Sequence, residues 1–161
     1  MEYKKVKWIT EEEVKKNSKV SDNLESQAIN PIIGMVQDTR MTSLLGSEFY
    51  KQLRQNYVDD NVNPVHRMLI REYIFDVLLW GTVAELQVPN FSKIQNVGIT
   101  SGYSDQSQTV QHKDMMYNVT YYNNKADFYQ AEALKFIVEH ASDFPLINCK
   151  VVYKFPINLT I

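Results

Sequence analysis

The stretch from Asn63 to Leu86, NPVHRMLIREYIFDVLLWGTVAEL, decides the fold class. Asn63 suits the N-cap of a helix and Pro64 suits its first position, so a helix should begin here. The residues that follow are apolar in nearly every helical direction, which is typical of a helix buried at the centre of a bundle. We expect this helix to end near Leu86, before Val88-Pro89-Asn90.

Two helices are predicted near the N-terminus. Thr10 followed by Glu13 matches the capping box, in which each side chain bonds the other residue's backbone N–H, and predicts a helix over 11–17. Apolar residues then recur at helical spacing over about 22–41 and predict a second helix. Pro31 lies inside this run, and because proline removes one hydrogen bond of the ladder, the helix should kink or restart there.

A short aromatic helix and a long final helix complete the helical pattern. Leu44-Leu45-Gly46 indicates a turn with a buried apolar side, and Ser47 can cap the helix that follows it. From about residue 107 to about residue 140, apolar residues follow alternating steps of three and four, which predicts a helix that packs across the bundle. This seam consists of Val119, Tyr122, Ala126, Tyr129, Ala133, Phe136 and His140.

Two segments depart from the helical pattern. Residues 88–106 are rich in Ser, Asn, Gly and Gln and contain a β-like piece at Ile94–Thr100, which predicts a projecting loop. Residues 147–161 are β-forming and divided by Pro156, which predicts an extended C-terminal arm. The predicted fold is therefore mainly α. It is a single domain, 1–161, with a body of four to five helices over about 9–145, the β-like loop and the arm.

The loop and the arm supply a candidate interface between subunits. The arm has no partner strand close in sequence, so it either returns to the β-like piece or adds to the edge of a neighbouring subunit. The candidate interface residues are Ile94, Val97, Ile99, Tyr103, Val151, Val152, Tyr153, Phe155, Ile157 and Leu159. The chain also has ten tyrosines, a residue type enriched in interfaces, and Tyr121 and Tyr122 fit either an interface or a core edge.

Composition argues against several classes of function. The net charge of −2 gives no electrostatic reason to expect nucleic-acid binding. Cys149 is the only cysteine, so no internal disulfide is possible, and no Cys/His cluster has zinc spacing. His66, His112 and His140 lie in separate places, and no phosphate-binding loop or nucleophile motif is present. We therefore expect no catalytic residue, no metal and no cofactor.

The sequence does not predict insertion into a membrane. The longest strongly apolar stretch, Tyr73–Trp80, contains Asp76 and is too short to cross a bilayer. The N-terminus lacks the apolar region of a signal peptide, so we expect the chain in a cytoplasm or in something assembled there.

Glu72 and Asp76 are four residues apart on the central helix, and Arg67 and Arg71 precede them at suitable spacing. This pattern predicts a stripe of ion pairs on the solvent-exposed face of the helix.

Part of the chain resembles a known family of virion proteins. The segment Ile29–Leu53, INPIIGMVQDTRMTSLLGSEFYKQL, is similar to the head–tail connector (adaptor) proteins of tailed phages. The matching features are Gln37 near a helix end, Leu44-Leu45-Gly46, and the pair Phe49-Tyr50 with Leu53. The later order also looks similar, with a second buried helix, a Val-Pro loop, an Asn-x-Gly piece at 96–98 and a long helix ending in Phe144-Pro145. The resemblance covers roughly residues 9–145 and is closest to the connectors of crAss-like phages that infect Bacteroides.

The resemblance implies a non-enzymatic structural protein of the virion neck. Connectors of this family form a cyclic homo-oligomer, commonly of twelve copies, bound beneath the portal protein. The ring extends the channel for genome ejection and docks the tail or further neck proteins. Genomic DNA passes through without sequence-specific binding, and assembly takes place in the host cytoplasm. A near-neutral to acidic chain suits such a channel, because strong phosphate binding would hold the DNA.

Two other interpretations remain open at this point. The chain could be a small cytosolic helical regulator or ligand-binding subunit, since tyrosines and an ordered loop can line a pocket between helices. It could also be another virion part, such as a tail-completion protein. A solution monomer with a small-molecule thermal shift would favour the regulator, and a ring that forms with a portal would favour the connector.

Overall fold

The computed structural model describes residues 6–18, 20, 26–98 and 107–147, and for 89–98 and 107–112 it describes the backbone alone. These residues are helical apart from turns and short connections, and they contain no strand. The predicted mainly α bundle of four to five helices is confirmed. In chain order the elements are α1 (Glu11–Asn17), α2 (Ser26–Leu45), α3 (Ser47–Val58), α4 (Pro64–Met68), a π-helical turn (Leu69–Ile74), α5 (Phe75–Gly98), α6 (Ser107–Glu139) and a 3₁₀ turn (Ala141–Asp143).

The central helix begins as its cap predicts. Asn63 accepts a hydrogen bond from the backbone N–H of Val65 at 2.8 Å, and Pro64 is the first helical residue. The helix then runs through α4, the π-helical turn and α5 without a break. Leu69, Ile74 and Leu78 are completely buried along it, so this helix forms the middle of the hydrophobic core.

The central helix is much longer than predicted. We expected an end near Leu86 and a β-like loop at 88–106, but α5 continues through Pro89 to Gly98. A helix that already exists propagates at small cost per residue, so a segment rich in Ser, Asn and Gln can extend it, with the loss of one hydrogen bond of the ladder at Pro89. Residues 99–106, which complete the expected loop, lie outside the described residues.

Helix α1 and helix α2 differ in how well the sequence predicts them. The capping box of α1 is confirmed, with reciprocal hydrogen bonds between Thr10 and Glu13. Helix α2 runs to Leu45, past the predicted end, and Pro31 neither interrupts nor restarts it. Pro31 lies near the exposed beginning of α2, where water can satisfy the carbonyl that loses its partner.

A single glycine makes the turn between α2 and α3. Leu44 and Leu45 still belong to α2, and Gly46 adopts a positive φ of 77°. Ser47 does not cap α3 as predicted, because it is already the first helical residue. Gly46 occupies the cap position and makes no side-chain cap, so backbone conformation alone separates the two helices.

The predicted seam of α6 is the face that packs on the bundle. Ala126 and Ala133 are completely buried, and Phe136 is 4% exposed. Tyr73, at the π-helical turn, meets Phe136 with their ring centroids 4.7 Å apart. Helix α6 lies mainly against α5 and the π-helical turn, and the two small alanines allow this close approach.

One arginine ties α2 to α6 across α5. The guanidinium of Arg40 donates to Asp127 at 2.7 Å, to Gln130 at 3.2 Å and to Asn123 at 2.9 Å. Gly81 on α5 lies directly beneath this side chain, since a Cβ there would come within 2.9 Å of Arg40 Nε. The missing Cβ of Gly81 therefore leaves the space in which Arg40 reaches α6.

A buried glutamine fixes the N-terminal segment on the bundle. Gln37 is 2% exposed and accepts a hydrogen bond from the backbone N–H of Trp8 at 2.7 Å. Its amide nitrogen donates to the carbonyl of Val6 at 2.9 Å and to the hydroxyl of Tyr50 at 3.2 Å. That hydroxyl donates in turn to Asp38 at 2.7 Å. Val6 and Trp8 precede α1, so no helix pairs their backbone groups. The side chain of Gln37 satisfies the Val6 carbonyl and the Trp8 N–H instead.

The space above Gly81 gives the first prediction. Gly81→Ala should lower the free energy of unfolding, because the displacement of Arg40 or Val36 by the new Cβ costs about 1–3 kcal/mol and the gain in helix propensity offsets only about 0.5–1 kcal/mol of it. Gly34→Ala is the matched control on α2, where a Cβ meets nothing within 4 Å. It should raise stability by about 0.5–1 kcal/mol, the usual gain in helix propensity. Thermal unfolding followed by circular dichroism measures both, and equal responses would contradict the close approach.

The hydroxyl of Tyr50 gives a pH-dependent prediction. Burial raises the pKa of Tyr50 to about 12, and the hydrogen bond to Asp38 acts in the same direction. The neutral form is therefore favoured by folding, and its stabilising contribution is complete below pH 10 and lost as the pH rises through about 12. Tyr50→Phe should flatten the loss of melting temperature between about pH 9 and about pH 12. Tyr57→Phe, at an exposed position, is the control, and an unchanged alkaline slope in Tyr50→Phe would refute the assignment.

Candidate interaction surface on α6

Three aromatic side chains are exposed along one face of α6. The exposed fractions are 70% for Tyr117, 46% for Tyr121 and 61% for Phe128. Steps of four and seven residues place them within about 40° of one another around the helix and along about 16 Å of its length. We call these three residues the aromatic stripe. Three large aromatic groups on one exposed helix face are a candidate interaction surface.

The aromatic stripe is supported from below by a stack that joins α6 to α5. The rings of Trp80 and Tyr122 are parallel to within 3°, with centroids 5.8 Å apart. The ammonium of Lys125 lies 3.7 Å from the centroid of Trp80 and 5.4 Å from that of Tyr121. Lys125 therefore bridges the half-buried stack and the exposed stripe by cation–π contacts.

Asp76 completes the charge pattern beneath the stripe. It lies one helical turn before Trp80 on α5, and it is only partly exposed. Burial raises the pKa of its carboxyl group, and the positive charge of Lys125 lowers it by a smaller amount. Burial wins, so the ionised form of Asp76 is less favourable in the folded protein than in water.

The predicted ion-pair stripe on the central helix is wrong. Arg67 pairs with Asp60 at 3.3 Å in the preceding loop, and in the described part of the chain no ion pair joins Arg67 or Arg71 to Glu72 or Asp76. The physical reason is the packing of α6 against the central helix. Asp76 lies beside Lys125 of α6, so it is not on a solvent-exposed face shared with the arginines.

The other flank of α6 is fixed by the Arg40 fork. Arg40 is largely buried, and its three acceptors, Asn123, Asp127 and Gln130, span two turns of α6. This fork and the Trp80 stack restrain the segment of α6 that carries the aromatic stripe from two sides. The backbone of this segment is consequently held in place, so contact with a partner has only the side chains of the stripe to order.

The structure describes only two of the residues predicted to form the interface between subunits. Ile94 and Val97 belong to the last turns of α5, where the backbone alone is described. The remaining members of the predicted set lie outside the described residues, and so does the C-terminal arm from residue 148: Ile99, Tyr103, Val151, Val152, Tyr153, Phe155, Ile157 and Leu159.

Sequence reasoning named one residue of the stripe, Tyr121, and missed Tyr117 and Phe128. Of the ambiguous pair at 121 and 122, Tyr122 packs at the core edge and Tyr121 is exposed. A usable signal was present. Once the heptad seam is assigned to the buried face, any aromatic residue of α6 that is out of phase with the seam must face solvent.

Two surface grooves lie away from the stripe. One, of about 490 Å³, is lined by Val62, Pro64, Arg67, Met68, Arg71 and Glu72. The other, of about 710 Å³, lies along α2 and the N-terminal segment and includes Asn30, Met35, Asp38 and Arg54. Both are open to solvent.

The described residues contain no cluster of metal-ligating side chains and no helix that could span a membrane. In this part of the chain no group of three or more His, Cys, Asp or Glu side chains could hold a metal ion. His66 is used in packing: its Nε2–H donates to the carbonyl of Asp143 at 2.8 Å, and its ring packs against the rings of both Phe49 and Phe144. Among the helices as far as they are described, none combines the length and apolar character needed to cross a bilayer.

The raised pKa of Asp76 predicts how the melting temperature depends on pH. Because the folded-state pKa is raised, the wild type loses stability as the pH rises through that pKa. Asp76→Asn should therefore melt at a higher temperature than the wild type at neutral pH, and the difference should vanish below about pH 4. Asp114→Asn, at an exposed carboxylate of α6, is the matched control. A lower melting temperature for Asp76→Asn at neutral pH would show that the attraction of Lys125 outweighs burial.

Comparison with known proteins places the chain in a family. A model described as "Family of unknown function (DUF6712)" matches residues 41–157, which is more than half of the chain and includes α3, the central helix and α6. No curated protein and no solved structure matches the chain. On the extent of the family match, this chain belongs to the DUF6712 family.

Proposed function

We propose that this chain is a non-enzymatic structural subunit that forms a ring in the neck of a tailed phage, between the portal and the tail. The observation that carries the proposal is the aromatic stripe of α6, in which Tyr117, Tyr121 and Phe128 are exposed on a rigid helix. Exposed, preorganised aromatic groups are the side chains that most often dominate the energy of protein interfaces. The connector resemblance of residues 29–53 gives the kind of assembly.

The helical framework supports an assembly role. The core is continuous from the N-terminal segment through α6, so the body can carry load as one unit. The 33 residues of α6 span about 50 Å at the usual rise, long enough to run along a neighbouring subunit. A closed ring needs a contact between two different faces of the same chain, repeated around an axis.

The charge supports a channel wall that releases DNA. The chain carries 17 basic and 19 acidic residues, for a net charge of −2. A dense basic surface would bind phosphates and hold the genome in place. In this proposal the partners are further copies of the chain, the portal protein, and the tail or further neck proteins, with DNA passing through.

Co-expression with the portal protein encoded by the same phage genome tests the proposal. The purified complex should be heavier than the portal alone by about a dozen copies of 18.8 kDa when weighed by mass photometry. Electron microscopy of the same sample should show an added ring beneath the portal. The portal expressed alone is the control.

The opposite outcome is equally clear. A portal that remains bare beside a free 18.8 kDa chain would contradict the neck-ring assignment. A thermal shift of that monomer with a small molecule would then favour the helical regulator, with the two surface grooves as its binding sites.

A further inference from the structure

We infer that the aromatic stripe of one subunit docks into the groove at the π-helical turn of the next subunit, in a head-to-tail contact between copies of this chain. The groove is the one lined by Val62, Pro64, Arg67, Met68, Arg71 and Glu72, and we call it the π-turn groove. The inference rests on the proposed ring, for which it names the two faces that meet.

The π-turn groove offers unused binding groups. Met68 is 51% exposed, and Arg71 forms no ion pair within the described part of the chain. Arg67 is held by Asp60, whose side chain is 92% exposed, so this pair is weak and easily exchanged. Two guanidinium groups, a thioether and the ring of Pro64 therefore face solvent together, beside the partly buried Val62.

These groups complement the aromatic stripe. Guanidinium groups stack on aromatic faces, and a thioether makes favourable contacts with ring edges. The chain already uses the first contact internally, where Arg54 lies 5.3 Å from the centroid of Tyr50. The groove has a volume of about 490 Å³ and is open to solvent, so aromatic side chains of the stripe can lie along it.

The stripe and the groove belong to different sides of the body. Helix α6 contacts the central helix through Tyr73 and Trp80, on the face that meets Phe136 and Tyr122. The residues of the π-turn groove are not part of that contact, and Met68 is exposed. The pairing must then join two copies, and a contact between two different faces propagates from subunit to subunit.

The π-helical turn lies at the groove. Leu69–Ile74 is π-helical, and both Arg71 and Glu72 belong to it. A π-helical insertion within an α-helix is uncommon and occurs frequently at functional sites. A contact of the stripe with a second stripe would leave the arginines and this turn exposed. The pairing of stripe and groove buries both of them.

Two variants at exposed positions separate the two faces. The stripe variant combines Tyr117→Ser with Phe128→Ser, and the groove variant combines Met68→Ser with Arg71→Gln. The matched controls are Met116→Ser, about 100° around α6 from Tyr117, and Met35→Ser, a methionine of similar exposure on α2. Circular dichroism verifies that all four keep the melting temperature of the wild type.

Self-association of the full chain is measured by sedimentation velocity at concentrations up to about 1 mM, where even weak contacts register. The stripe variant and the groove variant should each raise the dissociation constant about tenfold or more, and the two controls should leave it unchanged. A mixture of the two variants should form a dimer that grows no further, because one intact stripe meets one intact groove. Native mass spectrometry of this mixture identifies the dimer as one copy of each variant.

The other outcomes overturn the contact. If the stripe variant fails to associate while the groove variant associates normally, the stripe pairs with a stripe. If neither variant weakens association, the ring uses other faces. A wild-type chain that stays monomeric at about 1 mM also refutes the contact. In each of these cases the co-expression with the portal decides separately whether the ring exists.

Discussion

The arrangement of the bundle depends on the absence of one Cβ atom. Gly81 lets α2 approach α5 closely enough for Arg40 to cross over it and donate to three acceptors on α6. A guanidinium can satisfy three acceptors only when they are placed for its planar fork, so the contact fixes the position of α6 along α5 as well as its distance. Hydrophobic packing alone tolerates sliding of one helix along another. The polar fork restricts it.

A second polar group, one turn before Arg40 on α2, performs the same task for the N-terminal segment. Gln37 is buried, and it holds the N-terminal segment by backbone groups of Val6 and Trp8 instead of by side-chain packing alone. Because unsatisfied backbone groups are costly inside a protein, only one position of this segment pairs them all. The two polar contacts explain how a bundle made largely of apolar helices reaches a single arrangement.

This rigidity bears directly on the proposed assembly role. The residues of the aromatic stripe lie on a segment of α6 that is restrained by Arg40 on one flank and by the stack of Trp80, Tyr122 and Lys125 on the other. A partner that meets a preformed surface pays little for ordering it, so a modest contact area suffices when the contact is repeated around a ring. The proposed function and the proposed contact between subunits both rest on this physical property of α6.

The sequence by itself determined the elements whose signals are local. The capping box at Thr10, the Asn63-Pro64 start of the central helix and the seam of α6 were predicted correctly, because caps and periodicity act over one or two turns. Only the tertiary structure decided the continuation of α5 to Gly98, the burial of Asp76 near Lys125 in place of an ion-pair stripe, and the exposure of Tyr117 and Phe128. Each of these depends on which residues meet across the bundle, and such contacts join positions tens of residues apart that leave no pattern in the chain.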